Sequence, residues 1–397
     1  MNEAYLLGGL RTPVGKFLGG LASVPAPQLA ALAIGQLLEQ LHLAPDEVEE
    51  VIAGEVLSAG VGQAPARQAA LGAGLPPTVA AVTVNKVCGS GLKAAMLAAQ
   101  AVRCGDAAVV VAAGMESMSQ APFLLPRVRQ GWKFGHQRAL DHMLHDGLWC
   151  AFEDQAMGQV AEYTARKHQI TRQEQDHFAA ESHRRAVAAW EQGAFQAEVV
   201  PVPNPKCPEK ILLARDEGPR ADTTPETLAR LRPVFDPQGS VTAGNASQLS
   251  DGAAAVVVAD REVARRVASP LTCRVVATAT SGGEPRELFT APVEAIRRVV
   301  QKAGMPLEQV DLVELNEAFA AQMLACLKQL PLDAQKVNVH GGAVALGHPI
   351  GASGTRVLVT LMHALARYNK QFGIAALCLG GGNAVAMLIE HVGEQPA

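Results

Sequence analysis

Apolar residues along this chain fall into two alternating rhythms. Short apolar runs predict buried strands at residues 4–7, 50–55, 107–113, 310–315 and 373–377. Between them the apolar positions return every three or four residues. Leu29, Leu32, Ala33, Leu37 and Leu41 mark one amphipathic helix, closed by Pro45-Asp46-Glu47-Val48, and Leu92, Ala95, Met96 and Ala99 mark another. Arg11-Thr12-Pro13-Val14-Gly15 reads as a loop. Strands alternating with helices predict an α/β fold on a mostly parallel sheet covered on both faces.

The rhythm breaks between about residues 120 and 250, where strand signals are sparse and all three tryptophans occur. Thr171-Arg172-Gln173-Glu174 is a capping box that opens a helix running toward Gly193. Pro201, Pro203, Pro205 and Pro208 then mark a segment that cannot be a central strand. This stretch reads as an inserted, loop-rich subdomain. The first pattern then returns. Residues 43–52 resemble 305–314, with Val48 matching Val310, and Cys88-Gly89-Ser90-Gly91 resembles Gly351-Ala352-Ser353-Gly354, with Gly91 matching Gly354. The two anchors lie at nearly the same offset, which points to a duplicated half of about 120 residues. The expected division is 1–119 with 251–270, an insertion at 120–250, and a second half at 271–397. A pseudo-two-fold axis between the halves would bring the two glycine-led helix N-termini together.

Composition narrows the class. At 397 residues the chain is too long for one ordinary core, and 49% hydrophobic with 18% charged residues marks a folded globular protein. A net charge of −4 leaves no basic footprint for nucleic acid. The longest apolar runs fall far short of the ~18 residues of a membrane span. Met1-Asn2-Glu3-Ala4-Tyr5 lacks a basic leader pattern, and Glu394-Gln395-Pro396-Ala397 carries no retention or anchoring signal. Seven cysteines without a CxxC pair suggest neither a disulfide framework nor a structural metal. A reducing, cytoplasmic setting is expected.

Candidate chemistry gathers at the ends of predicted strands, where open α/β sheets collect reactive groups. Val87-Cys88 sits between a strand and a helix, at an N-terminus whose free N–H groups and dipole are expected to lower the thiol pKa. The other strand ends are Leu315-Asn316-Glu317, Val339-His340 leading to Gly347-His348, and Leu377-Cys378 ahead of Gly380-Gly381-Gly382. Taken singly, Cys88 or Cys378 reads as a core thiol, His348 as a satisfied histidine and the glycines as a turn. Together they offer a nucleophile, a base, a second thiol and backbone donors, a set suited to acyl transfer through an enzyme thioester.

At these residues the chain resembles the thiolase family. The matching blocks are Asn85-Lys86-Val87-Cys88-Gly89-Ser90-Gly91, Gly114-Met115-Glu116-Ser117-Met118-Ser119, Thr242-Ala243-Gly244-Asn245-Ala246-Ser247, Asn316-Glu317-Ala318-Phe319, Gly347-His348-Pro349-Ile350-Gly351-Ala352-Ser353-Gly354 and Cys378-Leu379-Gly380-Gly381-Gly382. The resemblance implies duplicated βαβαβ halves in a layered αβαβα arrangement with an inserted loop subdomain. It implies Cys88 as the acyl-carrying nucleophile, His348 as its base, and Cys378 as the group that moves the α-proton. Asn316 would hold a water that forms one oxyanion hole with His348, and the N–H groups of Cys88 and Gly380 would form the other. Ser247, Ala243, Leu148, Phe235 and Phe319 would line the pantetheine channel, Met157 would help limit the acyl chain, and Arg220 would lie near the nucleotide end.

The implied activity is reversible condensation of two acyl-CoA molecules by an acetyl-CoA C-acetyltransferase of fatty acid metabolism. Coenzyme A would be a substrate rather than a cofactor, with no metal, nucleic acid or membrane partner. A homo-oligomer, dimer or tetramer, is expected, with residues 127–136 as a tetramer-forming arm. A broader-chain degradative thiolase and an inactive acyl-CoA or lipid carrier are the alternatives; the second thiol speaks against a decarboxylating ketoacyl synthase. Three positions depart from the family pattern. Ala156-Met157-Gly158 stands where short-chain members carry His-Met-Gly, Asn383-Ala384-Val385-Ala386 where Met-Gly-Val-Ala is frequent, and Gln248 where many relatives have glycine.

Overall fold

Strand pairing repeats itself in the two halves of the chain. The structure, a computed structural model, describes residues 2–393; the tail 394–397, read above for sorting signals, lies outside the described residues. In the first half lie β1 (Tyr5–Arg11), β2 (Glu50–Gly54), β3 (Ala80–Val84), β4 (Val109–Ser117) and β5 (Ser250–Ala259). The second half contributes β6 (Thr272–Gly282), β7 (Leu312–Leu315), β8 (Phe372–Leu379) and β9 (Asn383–His391). They run in the order β7-β8-β9-β6-β1-β5-β4-β2-β3, and the two-residue strand Gly15–Lys16 pairs with β5 off this path. In the first half β3, β2 and β4 are parallel, then β5 and β1 follow antiparallel. In the second, β7 and β8 are parallel, then β9 and β6 follow antiparallel. Val337 bridges Val313 in parallel, at the place β3 holds in the first half. Val339-His340, expected at a strand end, lies in a turn instead, beyond that single bridge. The halves join where Tyr5–Leu7 pairs antiparallel with residues 272–274.

The sheet is therefore mixed, not mostly parallel. A tight glycine turn returns β8 directly as β9, and antiparallel neighbours need no crossover helix. Hydrophobic rhythm identifies strands without their direction.

Seven longer helices matter here: α1 (Ala26–Gln40), α2 (Ser90–Cys104), α3 (Met157–Lys167), α4 (Arg172–Glu191), α5 (Ala291–Ala303), α6 (Ala320–Gln329) and α7 (Ser353–Arg367). Alternate residues of each strand serve different cores. Val109, Val111 and Ala113 face α1, while Val110 and Ala112 face α2 and α7. Ala384, Ala386 and Leu388 face α5 and α6, while Val385, Met387 and Ile389 also meet α2 and α7. The layers thus run α, β, α, β, α. Helix α7 occupies the middle and is buried almost all round, as a helix between the two halves of the sheet must be.

The middle helices touch at glycines. A Cβ on Gly91 would lie 2.5 Å from Thr355 Oγ1 and 2.7 Å from Thr355 N, and one on Gly354 only 2.1 Å from Leu92 N. These are the matching positions of the internal repeat, and the helix N-termini meet as that repeat predicts.

The inserted segment holds more regular structure than its composition suggested. Thr171 and Glu174 form the expected box at the head of α4, with Glu174 N–H donating to Thr171 Oγ1 at 3.2 Å and Thr171 N–H to Glu174 Oε2 at 2.6 Å. The proline-rich stretch forms a hairpin, Val202–Asn204 with Cys207–Leu213, outside the main sheet. A buried ion network fastens the segment. Arg11, expected in a loop, instead ends β1 and is fully buried. Its Nε donates to Glu198 Oε1 at 2.6 Å, and Nη1 and Nη2 to the Asp216 carboxylate at 2.7 and 3.0 Å.

The helix crossing generates a stability prediction. Gly354→Ala should cost at least about 3 kcal/mol, because a methyl placed on a backbone nitrogen forces two packed helices apart. Gly283→Ala, whose Cβ meets nothing within 4 Å, should change stability by less than about 0.5 kcal/mol. Urea unfolding midpoints of the two variants make the comparison, and equal shifts would show that the crossing tolerates a methyl.

Candidate active site

Between β3 and α2 the backbone makes a strained turn. Val87 takes φ +48°, a left-handed conformation that a β-branched residue rarely adopts. Ser90 holds it there: its Oγ accepts the Lys86 N–H at 2.8 Å and donates to the Val87 carbonyl at 2.6 Å. Gly89 follows against Leu379, where a Cβ would come within 2.3 Å of Leu379 Cδ2. This approach sets Cys88 into the wall of a cavity of about 380 Å³ that Cys378, Gly380 and His348 also line.

Those groups arrive from both halves of the fold. Cys378 lies within the end of β8, opposite Ala384, and Gly380 opens the turn to β9. Gly381 and Gly382 complete that turn at φ +80° and +82°, which explains the run of glycines. His348 follows the one-turn helix Ala343–Leu346 and leads into α7. Ala243, Ser247, Leu148, Met157, Phe235 and Phe319 all line the same cavity, as does Ala156. Two predicted residues do not. Arg220 is exposed, its N–H donating to His183 Nδ1 at 3.1 Å. Asn316 is buried behind His348, with Nδ2 3.5 Å from each ring nitrogen, and its Oδ1 meets no partner among the described residues.

Burial decides the protonation states. It pushes the Cys88 thiol up to about 12, and the nearby charge of Glu116 adds to this; the backbone N–H groups of Cys88 and Gly380, both directed at the sulfur, pull the other way. The thiol is therefore not acidified by its helix, contrary to the expectation from position alone. Loss of water outweighs the dipole here. Burial, with the positive charge of Arg356, also brings His348 down to about 3. Cys378 is raised well above the ordinary thiol value by burial and then by its neighbours Cys88 and Cys326. At neutral pH the site holds two thiols and an uncharged imidazole.

The tautomer of that imidazole follows from Ser353. Its hydroxyl has one proton and donates it to the Pro349 carbonyl at 2.9 Å. Oγ therefore accepts from His348 Nδ1, 2.6 Å away. Nε2 is left with its lone pair free to take a proton.

Sequence reasoning quoted Ser353 within a motif without seeing this role; its position five residues after His348, at the head of a helix, was the available signal. Leu288 and Phe289 also line the cavity and carried no signal, since the loop after β6 reaches it only through the fold. Behind Cys88, the fully buried Glu116 accepts N–H groups of Val56, Leu57 and Gly351 at 3.2, 3.1 and 2.9 Å, joining the halves.

Comparison with known proteins agrees with this arrangement along the whole chain. Residues 4–262 match the thiolase N-terminal domain and residues 269–391 the thiolase C-terminal domain. An acetyl-CoA acetyltransferase of Pseudomonas aeruginosa is 53% identical over 390 residues, covering 98% of this chain and 99% of that protein. An Escherichia coli acetyl-CoA acetyltransferase is 48% identical, covering 99% of this chain and 100% of that one. The crystal structure of the Bacillus anthracis acetyl-CoA acetyltransferase superposes with a TM-score of 0.96 at 41% identity, covering 99% of each chain.

Because the resting pair is thiol and neutral imidazole, alkylation of Cys88 by iodoacetamide should rise continuously between about pH 6 and 9, following the thiolate fraction. The His348→Ala variant should react more slowly throughout. Mass spectrometry of the Cys88 peptide against pH measures it, and a rate already flat from the acidic end would reveal a preformed thiolate–imidazolium pair instead.

Proposed function

The chain belongs to the thiolase family of acyltransferases, and we propose that it is an acetyl-CoA C-acetyltransferase that carries the acyl group on Cys88. The observation that carries this reading is the convergence of Cys88, His348, Cys378 and Gly380 on one apolar cavity. The chemistry runs in two halves. Cys88 Sγ attacks the thioester carbonyl while His348 Nε2 takes its proton. The N–H groups of Cys88 and Gly380 meet the oxyanion, and each such donor is worth about 10²–10³ in rate. Collapse expels coenzyme A as a thiolate, which takes its proton from the Cys378 thiol and leaves His348 protonated.

A second acetyl-CoA then enters, and the Cys378 thiolate left by that transfer removes its α-proton. A thiol as hard to ionise as Cys378 gives a strongly basic thiolate, as a weakly acidic C–H requires. The enolate oxygen accepts from the protonated Nε2 of His348 and from a water held by Asn316, whose unpaired Oδ1 suits that task. The enolate carbon attacks the acyl group and Cys88 leaves, recovering its proton from His348. Coenzyme A is thus consumed and released as substrate, with no resident cofactor.

The cavity walls suit a short acyl chain. Met157, Leu288, Phe289 and Phe319 crowd it, while Ala156 leaves room that an imidazole would fill. We place the preference at four carbons with tolerance of a few more, ahead of a broad-chain degradative role. A cytoplasmic homotetramer in fatty acid metabolism fits the surface. Edge strand β3 exposes Val82, and the arm at residues 127–136 exposes Val128, Trp132 and Phe134. Among the described residues no helix is long and apolar enough to cross a membrane. The domain division we propose remains 1–119 with 251–270, 120–250, and 271–397; Arg220 we keep at the nucleotide end of the channel.

Two variants test the division of labour. Cys88→Ala should take up no acetyl group from acetyl-CoA by intact mass, and an adduct on it would remove the nucleophile assignment. Cys378→Ala should still be acetylated on Cys88, yet lose condensation by about 10²–10⁴-fold, the range for a lost acid–base group. Near-native condensation would take Cys378 out of the mechanism.

Chain length is tested at Ala156. Ala156→His should lower the six- to four-carbon ratio of kcat/KM in thiolysis of 3-ketoacyl-CoA by about tenfold or more, the scale of one or two rejected methylenes. An unchanged ratio would mean that Ala156 does not face the acyl group.

A further inference from the structure

His348 is carried by a segment too short to hold its own shape. The helix Ala343–Leu346 is a single turn, and isolated turns are unstable without outside partners. Its leading end is secured from the inserted segment and the loop after β7: Gly342 N–H donates to Ser182 Oγ at 3.0 Å and Val344 N–H to Glu317 Oε2 at 3.1 Å. The trailing end, next to the base, poses a harder problem. Gly347 N–H closes on the Ala343 carbonyl at 2.9 Å, and the chain then turns away with Gly347 at φ +112°. The next two positions cannot continue the helix. His348 N–H points elsewhere, and Pro349 has none. The carbonyls of Val344 and Ala345 therefore lose their usual partners just before the base.

One side chain takes both. Gln248 Nε2 stands 3.0 Å from the Ala345 carbonyl, 3.2 Å from that of Val344 and 3.4 Å from that of Gly218. Three surrounding carbonyls identify the near atom as the amide nitrogen, since the amide oxygen could not sit there. The main chain of Gln248 holds the same loop, because its carbonyl accepts the His348 N–H at 2.9 Å. Gly218 belongs to the inserted segment, two residues after Asp216 of the Arg11 network. A Cβ on it would lie 2.2 Å from the Ala345 carbonyl, so the insertion presses directly on the turn that Gln248 caps.

We propose that Gln248 is a positioning residue for His348: its amide caps the turn ahead of the base and pins it to the inserted segment. The proposal rests on His348 acting as the base toward Cys88. Gln248 also lines the cavity, so its role must be separated from simple channel shape. A channel residue changes KM, whereas a residue that aims the base changes kcat.

The experiment uses the full chain with Gln248→Glu and Gln248→Ala. Glutamate keeps the size but brings a carboxylate against three carbonyls. For Gln248→Glu, kcat in acetoacetyl-CoA thiolysis should fall about 10–100-fold, the scale of a misplaced catalytic group, with KM for coenzyme A within about threefold. Gln248→Ala should fall less. In parallel, iodoacetamide alkylation of Cys88, which needs the base but no coenzyme A, should slow in the same order. If the glutamate variant does not fold, slowed alkylation in a folded Gln248→Ala protein carries the test. A rise in KM alone, or alkylation at the wild-type rate in folded variants, would overturn the proposal. Wild-type protein inactive in thiolysis would instead count against the acetyltransferase reading, while the alkylation comparison would still judge Gln248.

Discussion

The architecture depends on two helices that touch backbone to backbone. At Gly91 and Gly354 no side chain fits between α2 and α7, and the same holds one layer out. A Cβ on Gly114 would come within 2.8 Å of the Gly351 carbonyl, and one on Gly351 within 2.6 Å of the Met115 carbonyl. Close-packed interiors do not yield to such insertions. Each helix is preceded by a reactive residue, Cys88 ahead of α2 and His348 ahead of α7. Bringing the helix heads into contact therefore delivers a thiol from one half and an imidazole from the other to the same cavity. Cys378 and Gly380 follow because β8 feeds the turn beside Gly89.

This closeness has an electrostatic consequence. The contact that assembles the site also removes its water, and in that setting the charged forms of both thiol and imidazole are disfavoured. The site thus rests neutral, and charge appears only as acyl transfer proceeds, where donors already point at it. Arg356, buried within 3.7 Å of Glu314, reinforces this by keeping the neighbouring imidazole unprotonated. Buried pairs of this kind seldom add much net stability. What they do here is fix local potential: Arg356 acts on His348, and Arg11 with Glu198 and Asp216 ties the inserted segment to β1.

The insertion, in turn, walls the cavity into which the two halves bring Cys88, His348 and Cys378. Phe235, Ala243 and Ser247 belong to it, as do Leu148 and Met157, so much of the cavity wall comes from one continuous stretch, with Leu288, Phe289 and Phe319 added from the second half. Its attachments reach the catalytic loops directly. Ser182 of α4 donates to Glu317 Oε2 at 2.7 Å, and Glu317 adjoins Asn316. Substrate walls and reactive groups are thereby set by the same packing.

Much of this was legible in the order of residues alone. Periodicity located α1, α2 and the strands β1, β2, β4, β7 and β8, but not β5, β6 or β9. The capping box at Thr171 and Glu174 is a local interaction between neighbours, and it formed as read. The match of Gly91 to Gly354 foretold the helix contact, since only glycine permits it. The candidate site residues fell into one cavity, except Asn316 behind it and Arg220 outside. Other features depended on partners far away in the chain. Strand direction was hidden, because a buried apolar run looks the same either way. Arg11 read as a loop residue because Glu198 and Asp216, which make its burial tolerable, lie some two hundred positions on. The state of Cys88 was misjudged for the same reason. A helix N-terminus is visible in a dozen residues, but desolvation is the sum of everything packed around the sulfur, and only the tertiary structure sets that sum.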